Sequence, residues 1–372
     1  MGTQQKQMAS LMTPSFSRLI GQEKAKNLLG RALASGSLAH AYLFRGPDGV
    51  GKQLFARSLA AAVNCRQRQG VDAGGRSSSI PGASDTRSLA SSSLTWSSLP
   101  CGHCPSCRKY SSGNHPDFLV ISPEKGTIKI DHVREMIQAL SYPPYESGVR
   151  VVLLEDIHTM RSEAANSLLK TLEEPPENNL LILTAAASRD ILTTISSRCQ
   201  VIPFFSLGQE ETVQVLLRER PELEPETARL LARLSEGCPG QALLFYRSEM
   251  VALWRELVAL VSDPETDGSL DVGLLLQAAE KMAALKEDLL PLFGLLRIWL
   301  RDRLVADSLG QMADGGGQRE YKQKHWNFRQ LFDKLQAVDR AEKELGRNCN
   351  RTLVCEVLLF QLQSDKPLTI QH

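Results

Sequence analysis

The chain has 372 residues, 42% hydrophobic and 23% charged, which is long enough for two or three domains that each bury a core. Lysine and arginine total 43 against 42 acidic residues, and this balance excludes a global basic surface that binds nucleic acid without regard to sequence. No apolar run approaches the roughly 20 residues that span a bilayer, and residues 1–15 hold no apolar signal-peptide core, so we expect a cytoplasmic protein.

The first part of the chain predicts helices and strands around a glycine-rich segment at 46–53. Apolar spacing indicates an amphipathic helix within 16–33, a short buried strand at 41–44 and a second helix at 54–63. Residues 70–100 are rich in Ser, Gly and Ala, which is typical of a disordered insertion. The glycine-rich segment therefore lies between a strand and a helix.

That position and its sequence fit a phosphate-binding loop at every residue but the last. Gly46, Gly49 and Gly51 allow backbone N–H groups to face phosphate oxygens, and Lys52 adds a full positive charge. Gln53 stands where a Ser or Thr normally offers its hydroxyl to Mg²⁺, and its longer amide is a poorer ligand for that ion.

Cys101, Cys104 and Cys107 form two overlapping Cys-x-x-Cys units, and Cys65 can supply a fourth thiolate if the insertion loops out. Four thiolates would close a tetrahedral zinc site with no open position, so its role would be structural. Redox chemistry and chance clustering are the alternatives, and His103 is a substitute ligand.

A turn at 115–117 precedes a predicted strand at 118–121, and a helix is predicted at 130–140. His115 in this turn is either a metal ligand or, more simply, a turn residue before proline.

Glu155 and Asp156 end a predicted buried strand that begins at Val149. In phosphate-loop proteins, carboxylates at this position hold Mg²⁺ and orient the attacking water. Strand-end acids also cap helices, but their pairing with the loop at 46–53 favours a site descended from a nucleotide-binding one.

A helix at 162–174 is stopped by two prolines, and strands are predicted at 180–184 and 201–205. The loop at 185–188 begins with three alanines, so it offers no polar sensor for activating water. From residue 206 onward the pattern is helical, and the apolar last helix, at 351–362, is either core or a subunit interface.

Several segments together resemble the delta-prime family of subunits in the bacterial DNA polymerase III clamp loader, within the AAA+ superfamily. They are the loop at 46–53, the four-cysteine module, His115-Pro116-Asp117, the run from Leu168 to Pro176, Ser197-Arg198-Cys199 and Asn348-Cys349-Asn350. The resemblance covers essentially the whole chain.

This resemblance implies an α/β P-loop AAA+ core at 1–205, with a parallel five-stranded sheet, helices on both faces and an inserted zinc module. A small helical lid at 206–249 and an all-α collar at 250–372 would follow. It also implies a place in a five-membered ring that uses ATP to load a sliding clamp on primed DNA. Gamma or tau and delta subunits would be its partners in the DNA polymerase III holoenzyme.

In that family the arginine of Ser-Arg-Cys reaches the ATP site of a neighbouring gamma or tau subunit, so Arg198 would be an arginine finger supplied in trans. Without the family, Arg198 is equally explained by a structural salt bridge.

The chain departs from the hydrolysing subunits at four places. These are Gln53 for Ser or Thr, Glu155-Asp156 for Asp-Glu, alanines for the polar sensor, and Gly240 or Gln241 where those subunits carry arginine. Each change affects transition-state stabilisation, so we expect a nucleotide-binding relic or a weak ATP and Mg²⁺ site with little or no turnover of its own.

Three functions compete at this point. The first is a stator subunit that donates Arg198, and the second is a gamma-like motor that binds and splits ATP at its own loop. A free-standing zinc protein that acts on DNA is the third, but no run of aromatic and basic residues marks a nucleic-acid groove.

Overall fold

The structure is a computed structural model that describes residues 16, 19–67, 100–124, 126–186, 193–247, 250–262, 272–308, 326–347 and 349–364. The predicted disordered insertion at 70–100 therefore lies, apart from Pro100, outside the described residues. The chain divides into two compact units, one of Met1–Val215 with Gly237–Gly240 and one of Leu216–Glu236 with Gln241–His372. The division into core, lid and collar stays a prediction.

The first unit is an α/β domain whose elements alternate along the described chain. In order they are α1 (Glu23–Ser35), β1 (Ala41–Gly46), α2 (Lys52–Val63), α3 (Pro105–Ser111), β2 (Phe118–Ile121), α4 (Ile130–Leu140), β3 (Arg150–Leu154), α5 (Ser162–Glu173), β4 (Asn179–Ala186), α6 (Thr193–Ser196) and β5 (Gln200–Pro203).

The remaining described elements are helical, as predicted. They are α7 (Gln209–Glu219), α8 (Pro225–Leu234), α9 (Pro239–Arg247), α10 (Met250–Ser262), α11 (Val272–Ala284), α12 (Leu289–Ser308), α13 (Phe328–Gly346) and α14 (Arg351–Gln363). None of the helices in the described ranges is long and apolar enough to cross a membrane.

The five strands form one parallel sheet in the order β2-β3-β4-β1-β5, which confirms the predicted sheet. Strand β4 lies between β3 and β1, so the residues after β3 and the loop after β1 meet at the same edge. Ligands of open α/β sheets bind outside the carboxyl ends of the strands, and we therefore expect a binding site at this edge.

Alternate residues of the strands pack on opposite faces of the sheet, each covered by helices. Tyr42 and Phe44 of β1 lie in a core with residues of α1, α2 and α3, whereas Leu43 lies in a second core with residues of α4 and α5. All three side chains are fully buried. This explains why the strands are continuously apolar, and it confirms helices on both faces.

One predicted loop is shorter in the structure. Strand β4 runs to Ala186, because β1 pairs with it as far as Gly46, so the loop predicted from Ala185 is wrong for its first two residues. Helix α9 begins at Pro239, since proline at the first helical position needs no hydrogen-bond partner for its nitrogen.

The last helix, α14, buries one face in the second unit, including Val354, Leu358 and Leu362. Lys334 of α13 is buried, and its Nζ donates to the carbonyl oxygens of Leu362 and Ser364 at the end of α14. That face of the helix is core, while Leu353 is 58% exposed.

Asp117 anchors the segment between α4 and β3 to the start of β2. Its buried carboxylate accepts the backbone N–H groups of Tyr145 at 2.6 Å, Glu146 at 2.9 Å and Ser147 at 2.9 Å, and it lies 3.6 Å from the Arg150 guanidinium. Burial alone would raise the pKa of Asp117, but these bonds and the arginine outweigh it and the pKa lies below 3.8. The folded state therefore favours the carboxylate.

We expect Asp117→Asn to lower the free energy of unfolding by about 2–4 kcal/mol at pH 7, because the amide cannot accept all three bonds. A lowered folded-state pKa contributes stability above the unfolded pKa of about 3.9, and this is lost as pH falls through the folded pKa. Urea titrations should therefore show the difference between wild type and variant narrowing below about pH 4.

The matched control is Asp131→Asn on α4, whose side chain is 73% exposed. It should change stability by less than about 1 kcal/mol, the size of the interaction between an exposed first-turn acid and the helix dipole. Equal effects of the two substitutions, or no narrowing at low pH, would contradict the anchoring role of Asp117.

Candidate functional site

The glycine-rich loop after β1 has the backbone of a phosphate-binding loop, but its lysine is already engaged. Helix α2 begins at Lys52, directly after Gly51, which has a φ of 103° that favours glycine. The Lys52 Nζ donates to the carbonyl oxygens of Gly46 at 2.6 Å and Pro47 at 2.8 Å, and it lies 3.2 Å from Asp48 Oδ1. Because an ammonium has three donors, a phosphate would have to displace one of these oxygens.

Gly240, at the start of α9, packs on the same loop. Its backbone N–H donates to the Gly49 carbonyl oxygen at 2.8 Å. A Cβ at Gly240 would lie 2.8 Å from Gly49 Cα and 2.9 Å from its oxygen, closer than real Cβ contacts. This position, one of the two where hydrolysing subunits were expected to carry arginine, therefore cannot hold a side chain unless the loop or the helix moves. The other, Gln241, lies within α9.

Glu155, which follows β3, is 7% exposed, and its carboxylate is bonded to neighbouring side chains. Ser122 Oγ donates to Oε2 at 2.7 Å, and the Arg57 guanidinium lies 3.5 Å from Oε1. Neither of these partners of Glu155 was predicted from the sequence. Ser122 carried a usable signal, since it is a polar residue at the carboxyl end of an apolar strand.

Asp156 is the acid whose charge interacts with the loop. Burial and the negative charge of Asp48 raise the pKa of Asp156, while His158 and Lys52 act in the opposite direction. Its backbone has a φ of 51°, and its N–H donates to Thr184 Oγ1 at 3.0 Å. A carboxyl group with a raised pKa beside a second acid is a weaker holder of Mg²⁺ than a free carboxylate.

The end of β4 offers no polar side chain beyond Thr184 among the described residues. Ala185 is 0% and Ala186 is 3% exposed, and both lie within the strand. Ala187 falls outside the described residues.

The four predicted metal ligands come together. The Sγ atoms of Cys65, Cys101, Cys104 and Cys107 all lie within 4.8 Å of one another. A tetrahedron with metal–sulfur bonds of about 2.3 Å has sulfur–sulfur edges of about 3.8 Å, so a small movement would close it around one ion. The cluster can therefore hold a metal.

Local backbone geometry positions the sulfurs. Cys104 is the N-cap of α3 and its Sγ accepts the Cys107 N–H at 3.4 Å, while the Cys104 N–H reaches Cys101 Sγ at 3.4 Å. Burial raises the pKa of Cys101, and a hydrogen bond to Cys65 together with burial raises that of Cys107. Thiols must lose their protons to bind a metal, so metal binding would release protons from this cluster.

Both candidate histidines lie outside this cluster. The exposed His103 places its Nδ1 2.9 Å from the Cys101 carbonyl oxygen. The His115 ring is buried and stacks on Tyr110, with ring centroids 4.1 Å apart. The described residues thus hold four cysteines and no histidine in the cluster.

Arg198 lies in the turn between α6 and β5, with 34% of its side chain exposed. Its Nη1 donates to the Thr194 carbonyl oxygen at 3.0 Å and to Ser197 Oγ at 3.2 Å, and its Nη2 donates to Glu173 Oε1 at 2.5 Å. The flanking residues Ile195 and Cys199 are buried, which fixes the turn. The guanidinium is therefore presented at the surface, paired with a carboxylate.

Comparison with known proteins gives a family match over half of the chain. A family model described as "DNA polymerase III, delta subunit" matches residues 21–84 and 83–207. These residues include the loop after β1, all four cysteines, both acids and Arg198.

Two kinds of relative are similar at the same level. The chain is 31% identical to DNA polymerase III subunit tau of Escherichia coli over 62% of this chain and 32% of that protein. It is 32% identical to subunit delta' of Pseudomonas aeruginosa over 57% of this chain and 60% of that protein. The matches thus span from about a third to three fifths of these relatives.

We expect Cys107→Ser to remove the bound metal and to lower the free energy of unfolding by about 3 kcal/mol or more, because three remaining ligands cannot close the site. Elemental analysis of the purified protein and chemical denaturation measure the two effects. Cys349→Ser, at an exposed cysteine outside the cluster, is the control and should change neither. Wild type that carries no metal, or a variant of unchanged stability, would contradict a structural metal site.

Proposed function

The chain belongs to the DNA polymerase III delta subunit family, and from that membership we propose that it is the stator of an ATP-driven clamp-loading ring. In this proposal five subunits open a sliding clamp and close it on primed DNA. Gamma or tau and delta subunits are the partners, and the clamp and the primer-template DNA are reached through the complex. The chain contributes Arg198 to the ATP site of a neighbouring gamma or tau subunit.

The main support for this proposal is that Lys52 and Arg198 differ in how far their side chains are exposed. The Lys52 side chain is 6% exposed and its ammonium is bonded to its own loop, whereas 34% of the Arg198 side chain is exposed. A guanidinium at the developing charge of the γ-phosphate is worth about 10³ to 10⁵ in rate where it has been measured. The group able to act on a nucleotide from outside is therefore the arginine.

The partners of Glu155 and the contact at Gly240 support the same conclusion. A carboxylate that already accepts from Ser122 and pairs with Arg57 has less capacity to hold Mg²⁺. An arginine introduced at Gly240 would collide with the loop backbone. ATP hydrolysis at this chain's own loop would need both the bonds of Glu155 and the contact at Gly240 to rearrange.

A gamma-like motor remains the second candidate function, and two observations favour it. The identity to tau, 31%, is close to the 32% to delta', and the backbone of the loop retains Gly51, Lys52 and the helix that follows. If the chain is such a motor, Lys52 makes these bonds only in the nucleotide-free loop, and binding of ATP would draw the ammonium onto phosphate oxygens.

Zinc is the metal that we propose for the four-cysteine cluster, since four thiolates in a tetrahedron are its usual structural set. Cys65 follows α2, and the other three ligands lie at or just before α3, so a bound ion would tie the two helices together. With four protein ligands it would bind no substrate.

In the reconstituted loader, Arg198→Ala should lower the clamp- and DNA-stimulated ATPase rate by about threefold or more, because one interface loses its transition-state cation. Arg229→Ala, at a 56% exposed arginine on α8, is the matched control and should leave the rate unchanged. Steady-state ATPase assays measure both. An Arg198→Ala loader as fast as wild type would rule out the trans role.

The purified chain alone should show no ATPase activity above background, and Lys52→Ala should leave that background unchanged. The reason is that Lys52 and Glu155 are bonded to protein groups where catalysis needs them on nucleotide or metal. A rate that falls on Lys52→Ala would instead favour the motor.

A further inference from the structure

The guanidinium of Arg198 is held by contacts of two kinds. The bonds to Thr194, in α6, and to Ser197, in the turn after it, come from within four residues of Arg198. The bond to Glu173 comes from the last residue of α5, 25 positions earlier in the chain. Glu173 alone among these three partners therefore ties the arginine to a distant part of the chain.

The pair lies at the surface, with 34% of the Arg198 side chain and 50% of the Glu173 side chain exposed. Exposed ion pairs contribute little to folding stability. A carboxylate in the last turn of a helix is also disfavoured by the helix dipole, and a cation placed beside it offsets this. The pairing thus has a stronger effect on where the guanidinium lies than on whether the domain folds.

The bonds in this structure occupy three of the five N–H donors of the guanidinium. Arginine binds phosphate best through two parallel N–H bonds. A phosphoryl group that approached the Nη2 end would meet the Glu173 carboxylate, which carries the same sign of charge. The two anions would compete for Nη2.

We propose that Glu173 is a positioning residue for Arg198, holding the guanidinium on α5 and competing with the phosphoryl oxygens of a nucleotide in the neighbouring subunit. This inference rests on the proposed trans role of Arg198. The carboxylate keeps the guanidinium away from the neighbouring nucleotide until the assembled interface brings the full charge of a nucleoside triphosphate within reach. Glu173 therefore suppresses hydrolysis in a ring that has not yet engaged clamp and DNA.

The test uses Glu173→Gln in the reconstituted loader, since glutamine keeps the size of the side chain and removes its charge. ATPase without clamp and DNA should rise by about two- to fivefold, the span of an exposed ion pair, and the clamp- and DNA-stimulated rate should change less. High salt should bring wild type towards the variant, because it screens the pair. Glu174→Gln, the same change at the next residue, is the control and should behave as wild type.

The double variant Glu173→Gln with Arg198→Ala separates this inference from the proposed function. If the positioning role holds, the gain disappears in the double variant, which behaves as Arg198→Ala alone. If Arg198→Ala lowers the rate but Glu173→Gln equals wild type, slows the loader, or keeps its gain without Arg198, the positioning role is wrong. If Arg198→Ala has no effect, the proposed function itself fails.

Discussion

The position of one ammonium group determines how the rest of this domain can act. Lys52 opens α2 at the carboxyl edge of a five-stranded parallel sheet, where a phosphate would bind, yet its Nζ is bonded to Gly46, Pro47 and Asp48. A buried cation must keep such partners, because an unpaired charge in this environment is costly. The charged and polar groups of the loop therefore bond to one another.

The surrounding contacts reinforce that state. The backbone of Gly240 bonds to the loop at Gly49, and Thr184 of β4 holds the N–H of Asp156. Beyond α2, Asn64 donates to Tyr110 Oη at 2.8 Å and to the Val149 carbonyl oxygen at 2.8 Å, linking the helix to the cysteine module and to the start of β3. The same helix thus connects the loop, the cysteine cluster and the sheet.

Most of the fold could be predicted because its signals are local. The buried strands are continuous apolar runs, and β2 and α4 begin and end where apolar spacing placed them. Spacing predicted three members of the cysteine cluster, and Cys65 was added because the insertion after it could loop out. What the sequence could not supply were contacts between distant residues, such as Ser122 and Arg57 on Glu155, Gly240 on Gly49, and Glu173 on Arg198. Each of these contacts depends on backbone positions that the whole sheet determines. Short-range sequence patterns do not predict such positions.

In the proposed function this chain acts on a neighbour's nucleotide and not on one of its own. Cryo-electron microscopy of the assembled loader, trapped with a γ-phosphate analogue of the transition state, would show which residues contact the analogue. We expect the Arg198 guanidinium within about 3 Å of the analogue in the adjacent subunit, with Lys52 still bonded to Gly46 and Pro47. An analogue bound in this chain's own loop, with the Lys52 ammonium on its phosphoryl oxygens, would contradict it.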